Sequence, residues 1–187
     1  MTAADADRQI GGNMKVLVVV DMQKDFIDGA LGTPEAVAMV PAACEKIKNF
    51  DGKIIFTRDT HPDNYLETQE GRNLPVEHCI KDSEGWQLNP DIAALTEGWE
   101  IIDKPGFGSP ILGERLAALD AEEGIESITF IGLCTDICVL CNVMIAKAYV
   151  PEIPITVDAA CCAGVTPESH VTALQAMTMC QIAIENQ

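Results

Sequence analysis

A cysteine lies where a strand-like segment of this chain gives way to a helical pattern. Residues 127–131 (SITFI) form a strand-like run, and Gly132, Cys134 and Cys138 follow them. Apolar residues then recur at the helical spacings of three and four, at Ile137, Leu140, Cys141, Met144, Ile145 and Ala148. A thiol in the first turn of a helix lies near free N–H groups and the positive end of the helix dipole, which lower its pKa. This position therefore predicts that Cys138 is a nucleophile.

Two charged residues at other strand ends have the chemistry to assist this thiol. Asp21 follows the apolar run 15–20, and Lys104 follows the apolar pair at 101–102. A cysteine nucleophile needs a base to accept its proton and a cation to stabilise the thiolate. Each residue alone has an ordinary alternative, a carboxylate that caps a loop and a solvated lysine. Their joint placement at one sheet edge with Cys138 favours a catalytic set.

A second group of residues is typical of a divalent-metal site. Asp59 and His61 are two positions apart at a strand end, so their side chains lie on the same side of an extended segment. The distant His78 has the right chemistry to complete the site. The alternative is that His61 shapes a His-Pro turn and His78 satisfies a local carbonyl. Because two of the three histidines fall here, we favour the metal site and assign His170 a structural role.

The spacing Cys134-x3-Cys138-x2-Cys141 also matches the ligands of a 4Fe–4S cluster in radical enzymes. The context argues against a cluster, because the motif runs into a helix and places Cys141 on its apolar face. A cluster would also leave the acidic strand ends unexplained.

The elements that must position these residues alternate between strands and helices. Strands are predicted at residues 15–20, 53–57, 99–102, 127–131, 154–157 and 180–184. Helices are predicted at residues 41–50, from Ser109-Pro110 to Gly124, and from Thr166-Pro167 onward. This alternation predicts a doubly wound α/β three-layer sandwich with a mostly parallel sheet of about six strands. Ligands of such sheets bind beyond the carboxyl ends of the strands. The aperiodic segment 59–90 is long enough to suggest a functional loop.

Charge, hydropathy and cysteine content exclude or disfavour several classes of protein. The 187 residues carry a formal net charge of −17, which disfavours a nucleic-acid partner. No apolar run approaches the roughly 20 residues that span a membrane. With 8 cysteines but no secretory signal, a reduced cytoplasmic protein is expected. We expect residues 1–13 to form a flexible leader and residues 14–187 a single domain.

The chain resembles a known family through an ordered set of segments. They are residues 18–26 (VVVDMQKDF), 57–62 (TRDTHP), 74–79 (LPVEHC), Lys104 with 107–109 (FGS), and 132–139 (GLCTDICV). In this order they resemble the isochorismatase-like cysteine hydrolases, and within them the nicotinamidase branch. The resemblance implies that Asp21 is the general base, Lys104 the thiolate-stabilising cation and Cys138 the nucleophile. It also implies an oxyanion hole from the backbone N–H groups of Cys134 and Cys138, with a cis peptide bond before Cys134.

The resemblance further implies a substrate, a metal and an assembly. Nicotinamide would be hydrolysed to nicotinate and ammonia through a thioester on Cys138. Zinc, or manganese or iron in its place, would be held by Asp59, His61 and His78, with Glu70 as a further candidate and Glu67 behind it. A homo-oligomer is expected. The aromatic residues proposed as pocket walls are Phe26, Tyr65, Trp86 and Phe107.

Two other functions stay open. The same three catalytic residues could hydrolyse another small amide or a ureido compound, because residues 81–85 and the small number of aromatic residues depart from the nicotinamidase pattern. A catalytically idle binding protein on the same fold is disfavoured, since Asp21, Lys104 and Cys138 are all present.

Overall fold

The computed structural model describes residues 14–187, and the predicted leader lies outside the described residues. Its sheet has six strands, all parallel, in the order β3-β2-β1-β4-β5-β6. The strands are β1 (Met14–Val20), β2 (Lys53–Asp59), β3 (Glu100–Lys104), β4 (Ile125–Leu133), β5 (Ile155–Ala163) and β6 (Ala183–Glu185). The predicted doubly wound α/β fold is therefore confirmed.

Helices cover both faces of this sheet and complete the three layers. They are α1 (Lys24–Ile27), α2 (Pro34–Lys48), α3 (Gln69–Asn73), α4 (Pro90–Ala93), α5 (Pro110–Glu123), α6 (Leu140–Tyr149) and α7 (Pro167–Met179). Successive residues of a strand point to opposite faces. Accordingly, Val16 and Val18 pack in the core with α5, α6 and α7, whereas Leu17 and Val19 pack with α1, α2 and α4. In the described part of the chain, no helix combines the length and the apolar character needed to cross a membrane.

The sequence prediction placed the start of α2 too late. The helix begins at Pro34, where the Thr33 side chain accepts a hydrogen bond from the N–H of Ala36 at 3.0 Å. Pro41, predicted as the first residue, lies inside the helix. The carbonyl four residues before it belongs to Val37, which is 49% exposed, so water can replace the hydrogen bond that proline cannot make.

The predicted apolar face of α6 was also wrong in phase. The fully buried positions are Asn142, Val143 and Ala146, whereas Met144 is only partly buried and Ala148 is exposed. A π-helical turn, Thr135–Val139, precedes α6. A π turn hydrogen-bonds five residues apart, so a spacing of three and four cannot be counted through it into α6.

The strand order places the candidate site at a topological switch point. Strands β1 and β4 are neighbours at the centre of the sheet, and the chain leaves them in opposite directions. Val20 pairs with both Thr57 and Gly132, so the residues after these strands lie at one level beyond the sheet edge. Crevices of this kind are the usual ligand sites of open α/β sheets.

We predict that Gly132→Ala is strongly destabilising. Gly132 has a φ of 117°, and a Cβ there would overlap the backbone of Val20. Urea unfolding should show a loss of about 3 kcal/mol or more. The matched control is Gly98→Ala, because Gly98 also has a positive φ, 82°, but no neighbour near the added Cβ among the described residues. The control should cost only about 1 kcal/mol. Equal losses in the two variants would contradict the close-approach explanation.

Candidate active site

The side chain of Lys104 lies at the centre of the crevice, although the residue is only 1% exposed. Its Nζ is 2.7 Å from Oδ2 of Asp21 and 3.3 Å from Oδ1 of Asp59. It also donates a hydrogen bond to the carbonyl of Gly106 at 2.9 Å and lies 3.6 Å from Sγ of Cys138. The three predicted catalytic residues therefore meet around one buried cation.

Asp21 occupies the first position after β1 with a φ of 48°. Its Oδ1 accepts a hydrogen bond from the hydroxyl of Thr57 at 2.6 Å, and Oδ2 faces the ammonium of Lys104. Complete burial raises the pKa of the Asp21 carboxyl, although Lys104 opposes this effect. A carboxylate with a raised pKa is a stronger base, which suits it to accept a proton from a thiol.

Cys138 lies in the π-helical turn with its thiol buried. Burial raises the pKa of this thiol well above its usual value, the carboxylate of Asp21 adds to the rise, and Lys104 opposes it. The sequence argument for a lowered pKa at this position was therefore wrong, because burial and the neighbouring Asp21 carboxylate raise the pKa of Cys138. A thiol with a raised pKa needs a base to remove its proton before the sulfur can attack.

The turn that carries Cys138 is anchored from two sides. Within it, the hydroxyl of Thr135 lies 2.8 Å from Nδ1 of His170, and the carboxylate of Asp136 accepts the N–H of Val165 at 3.1 Å. The peptide bond between Leu133 and Cys134 is cis, as the resemblance implies. These contacts tie the turn to α7 through His170 and to the loop before α7 through Val165, so His170 makes a structural contact here.

Asn142 supports the turn from the opposite side. Its Nδ2 donates to the carbonyls of Cys138 at 2.8 Å and Phe107 at 3.2 Å, and its Oδ1 accepts the N–H of Ser109 at 2.9 Å. Sequence reasoning missed this residue. The available signal was a single amide within an apolar helical pattern, since a buried polar group needs partners.

The predicted metal ligands come together beside the catalytic residues. One ligand atom from each of Asp59, His61, Glu70 and His78 lies within 4.8 Å of the others. Nε2 of His61 is 2.9 Å from Oδ2 of Asp59 and 3.6 Å from Oε1 of Glu70. Glu70 therefore joins the three ligands expected first, whereas Glu67 is exposed outside the group.

This group fits a divalent cation. Nε2 of His61 is buried and makes no hydrogen bond of suitable geometry among the described residues. Nδ1 of His78 is 2.8 Å from the carbonyl of Val76, so a proton on Nδ1 leaves the Nε2 lone pair facing the other ligands. Two imidazoles with two carboxylates form a donor set that suits zinc. Asp59 also contacts Lys104 and thus joins the metal group to the catalytic group.

Gln23, which sequence reasoning missed, fixes the position of Asp59. The Gln23 side chain accepts the Asp59 N–H at 2.7 Å and donates to the Asp59 carbonyl at 2.8 Å. It also donates to the carbonyl of Trp86 at 2.9 Å. The Gln23 amide is fully buried and binds both the N–H and the carbonyl of Asp59, which restricts the conformation of both residues. Gln23 therefore orients the Asp59 carboxylate, which the metal group and the catalytic group share.

The thiol and the metal group line one cavity of about 760 Å³. Of the four aromatic residues predicted as pocket walls, Phe26 and Phe107 line this cavity. Tyr65 lies behind it, with its ring centroid 4.7 Å from that of His61 and its hydroxyl donating to the carbonyl of Leu74 at 3.0 Å. Trp86 is also outside the lining, and its Nε1 donates to the hydroxyl of Thr60 at 2.9 Å.

The three cysteines of the iron–sulfur alternative do not form a ligand group within the described part of the chain. Cys134 and Cys138 line the cavity, but Cys141 lies in α6, where its Cβ packs near Gly108. This geometry gives no support to a cluster.

A buried thiol with a carboxylate and an ammonium at a parallel sheet edge defines the class of cysteine hydrolases with an α/β fold. The chain belongs to the isochorismatase family, since the Isochorismatase domain model matches residues 15–187.

Several similar proteins within this family are named nicotinamidase or pyrazinamidase. Nicotinamidase of Escherichia coli is 26% identical over 193 residues, covering 88% of this chain and 91% of that protein. Nicotinamidase of Saccharomyces cerevisiae is 32% identical over 126 residues, but the match spans only 50% of this chain and 57% of the yeast protein. The zinc complex of Pyrococcus horikoshii pyrazinamidase is 26% identical, with a TM-score of 0.73 over 92% of this chain and 99% of that one. The predicted family and enzyme class, an amide hydrolase, are confirmed.

The raised pKa of Cys138 leads to a test by alkylation. Below the pKa of a thiol, the reactive thiolate fraction grows about tenfold per pH unit. We expect the rate at which iodoacetamide modifies Cys138 to climb without a plateau between about pH 6 and about pH 9. Mass spectrometry of the Cys138 peptide would measure this rate, with the exposed Cys180 as an internal reference. A plateau near neutral pH would instead indicate a stable thiolate.

Proposed function

We propose that this protein is a metal-assisted nicotinamidase that converts nicotinamide to nicotinate and ammonia. One observation carries the proposal: Cys138 and the Asp59–His61–Glu70–His78 group line the same cavity. Nicotinamide has a carboxamide meta to its ring nitrogen, and the cavity offers a partner to each. The named relatives support the same substrate.

The proposed reaction begins with activation of the thiol. Asp21 takes the proton from Cys138, and Lys104 stabilises the thiolate as it forms. The sulfur attacks the amide carbon, and a tetrahedral intermediate forms. Asp21 then gives the proton to the amine, ammonia leaves, and a thioester remains on Cys138. Asp21 then takes a proton from water, the resulting hydroxide attacks the thioester carbon, and the C–S bond breaks to release nicotinate. Asp21 returns that proton to the departing sulfur, which restores the Cys138 thiol.

The negative oxygen of the tetrahedral intermediate needs hydrogen-bond donors that are already in place. We assign this role to the backbone N–H groups of Cys134 and Cys138, because both residues line the cavity at the anchored turn. In other enzymes the loss of one such donor costs about 3–4 kcal/mol of transition-state stabilisation. The anchors at Thr135 and Asn142 hold these donors in position.

The proposed role of the metal centre is to bind the substrate, not to supply the nucleophile. Asp59, His61, His78 and Glu70 would hold zinc, or manganese or iron in its place. When bound, the ion supplies a Lewis-acid site for the pyridine nitrogen. Phe26 lies beside this group, with its ring centroid 5.5 Å from that of His78, and gives the pyridine ring an apolar neighbour.

A second substrate class has one observation in its favour. The cavity of about 760 Å³ is of the size that holds drug-sized ligands, and only Phe26 and Phe107 contribute phenyl rings to it. Another small amide or a ureido compound would therefore fit. Ammonia release across a panel of small amides, with and without added zinc, distinguishes these substrates from nicotinamide.

The remaining expectations concern the setting of the enzyme. We expect a cytoplasmic homo-oligomer that acts on a small molecule and binds neither nucleic acid nor membrane. The idle-scaffold alternative predicts no ammonia release from any amide in the panel, so the same assay addresses it.

Cys138→Ala should abolish turnover, because among the described residues Cys138 supplies the thiol that lies against Lys104. We expect kcat for nicotinamide to fall by a factor on the order of 10⁶, as when the nucleophile of a catalytic triad is removed. Ammonia release measures the effect. The control is Cys180→Ala, an exposed thiol that should be neutral. Retention of full activity by Cys138→Ala would disprove the assignment of the nucleophile.

Removal of the metal should weaken substrate binding while the fold remains intact. After dialysis against a chelator, we expect KM for nicotinamide to rise by about tenfold or more, equivalent to about 1.4 kcal/mol of binding free energy. Circular dichroism would check the fold, and added zinc should restore KM. An unchanged KM and kcat in protein shown to be metal-free would exclude this role.

A further inference from the structure

The Asp25 carboxylate lies behind the metal group and connects two separate segments of the chain. Asp25 is in α1, just after the strand that ends before Asp21. Its Oδ2 accepts the N–H of Cys79 at 2.8 Å, and its own N–H donates to the carbonyl of Gly85 at 3.0 Å. A Cβ added at Gly85 would overlap this carboxylate. Asp25 therefore holds the segment from Cys79 to Gly85 at close range.

Cys79 transmits this restraint to two of the proposed metal ligands. It directly follows His78, and its carbonyl accepts the N–H of His61 at 2.9 Å. The carbonyl of His61 in turn accepts the N–H of Lys81 at 2.9 Å. Cys79 is fully buried with a φ of 46°, a conformation that few non-glycine residues adopt. The hydrogen bond that Cys79 donates to Asp25 thus fixes a residue whose backbone directly follows His78 and also binds His61.

We propose that Asp25 is a positioning residue for the metal centre, which sets the spacing of His61 and His78 through the N–H of Cys79. This inference rests on the proposed metal-assisted function. Loss of the acceptor leaves a buried N–H unpaired, and the segment must shift to satisfy it. Ligand atoms grouped within 4.8 Å tolerate little displacement. Changes to residues that orient metal ligands typically weaken metal binding by roughly 10-fold to 100-fold.

Other contacts hold α1 and the neighbouring segment in place without this carboxylate. Phe26 and Ile27 are buried in the core, and the N–H of Lys24 donates to the carbonyl of Gln87 at 2.9 Å. The Lys24 side chain also pairs with Glu84. We therefore expect the fold to survive a change at Asp25, so that metal affinity and global stability can be separated.

The test measures zinc affinity directly in the full chain. Wild type, Asp25→Asn and Asp25→Ala are stripped of metal, and each competes with a chromophoric chelator for zinc. The matched control is Asp28→Asn, because Asp28 is exposed at the end of the same helix and its carboxylate makes no hydrogen bond among the described residues. Thermal unfolding of each metal-free protein reports stability separately.

We expect the zinc dissociation constant of Asp25→Ala to rise roughly 10-fold to 100-fold, with a smaller rise for Asp25→Asn, which keeps one acceptor oxygen. The control and wild type should agree, the metal-free unfolding temperatures of Asp25→Asn and wild type should match, and excess zinc should restore nicotinamide hydrolysis to Asp25→Asn.

Two results would overturn the inference in distinguishable ways. If both Asp25 variants bind zinc as tightly as wild type, Asp25 does not position the ligands and the proposed function is unaffected. If wild type itself binds no zinc, manganese or iron, the metal centre and this inference both fail.

Discussion

The ammonium of Lys104 contacts both functional groups of the cavity. It lies 2.7 Å from Asp21, 3.3 Å from Asp59 and 3.6 Å from the sulfur of Cys138. Without it, two buried carboxylates would face each other in a medium where uncompensated charge costs several kcal/mol per ion. The cation therefore makes possible a site in which a base, a thiol and a metal-binding carboxylate share one small volume.

The sheet explains why these groups can meet. Parallel strands bring their carboxyl ends to one edge, and the switch point between β1 and β4 opens a crevice there. The groups that hold the reactive residues in place then use neutral hydrogen bonds rather than further charges. Gln23 brackets Asp59, Asn142 binds the carbonyl of Cys138, and Thr135 contacts His170. Neutral hydrogen bonds restrict geometry without adding another buried charge to the site.

Sequence reasoning identified the functional residues at the ends of strands. It missed most of the residues that hold them in place by hydrogen bonds. Asp21, Lys104 and Asp59 follow apolar runs, which is a pattern that local sequence reveals. Because the strands are parallel, their ends meet at one edge of the sheet and these residues come close together. The contacts of Gln23 and Asn142 join residues far apart in the chain, so no local periodicity reveals them. Whether the pKa of Cys138 rises or falls also depends on burial from all sides, and the π turn before α6 interrupts the regular helical spacing on which the sequence prediction relied.

The central claim is that Cys138, buried as a thiol, forms a covalent acyl intermediate at this cavity. Acid quenching during the first turnovers of nicotinamide, followed by mass spectrometry of the peptides, tests that claim directly. The account predicts a transient nicotinoyl group on the peptide that contains Cys138, and none on the peptides that carry the other cysteines. Hydrolysis of nicotinamide at full rate with no acyl group on Cys138 at any time, or with the acyl group on a different residue, would contradict it.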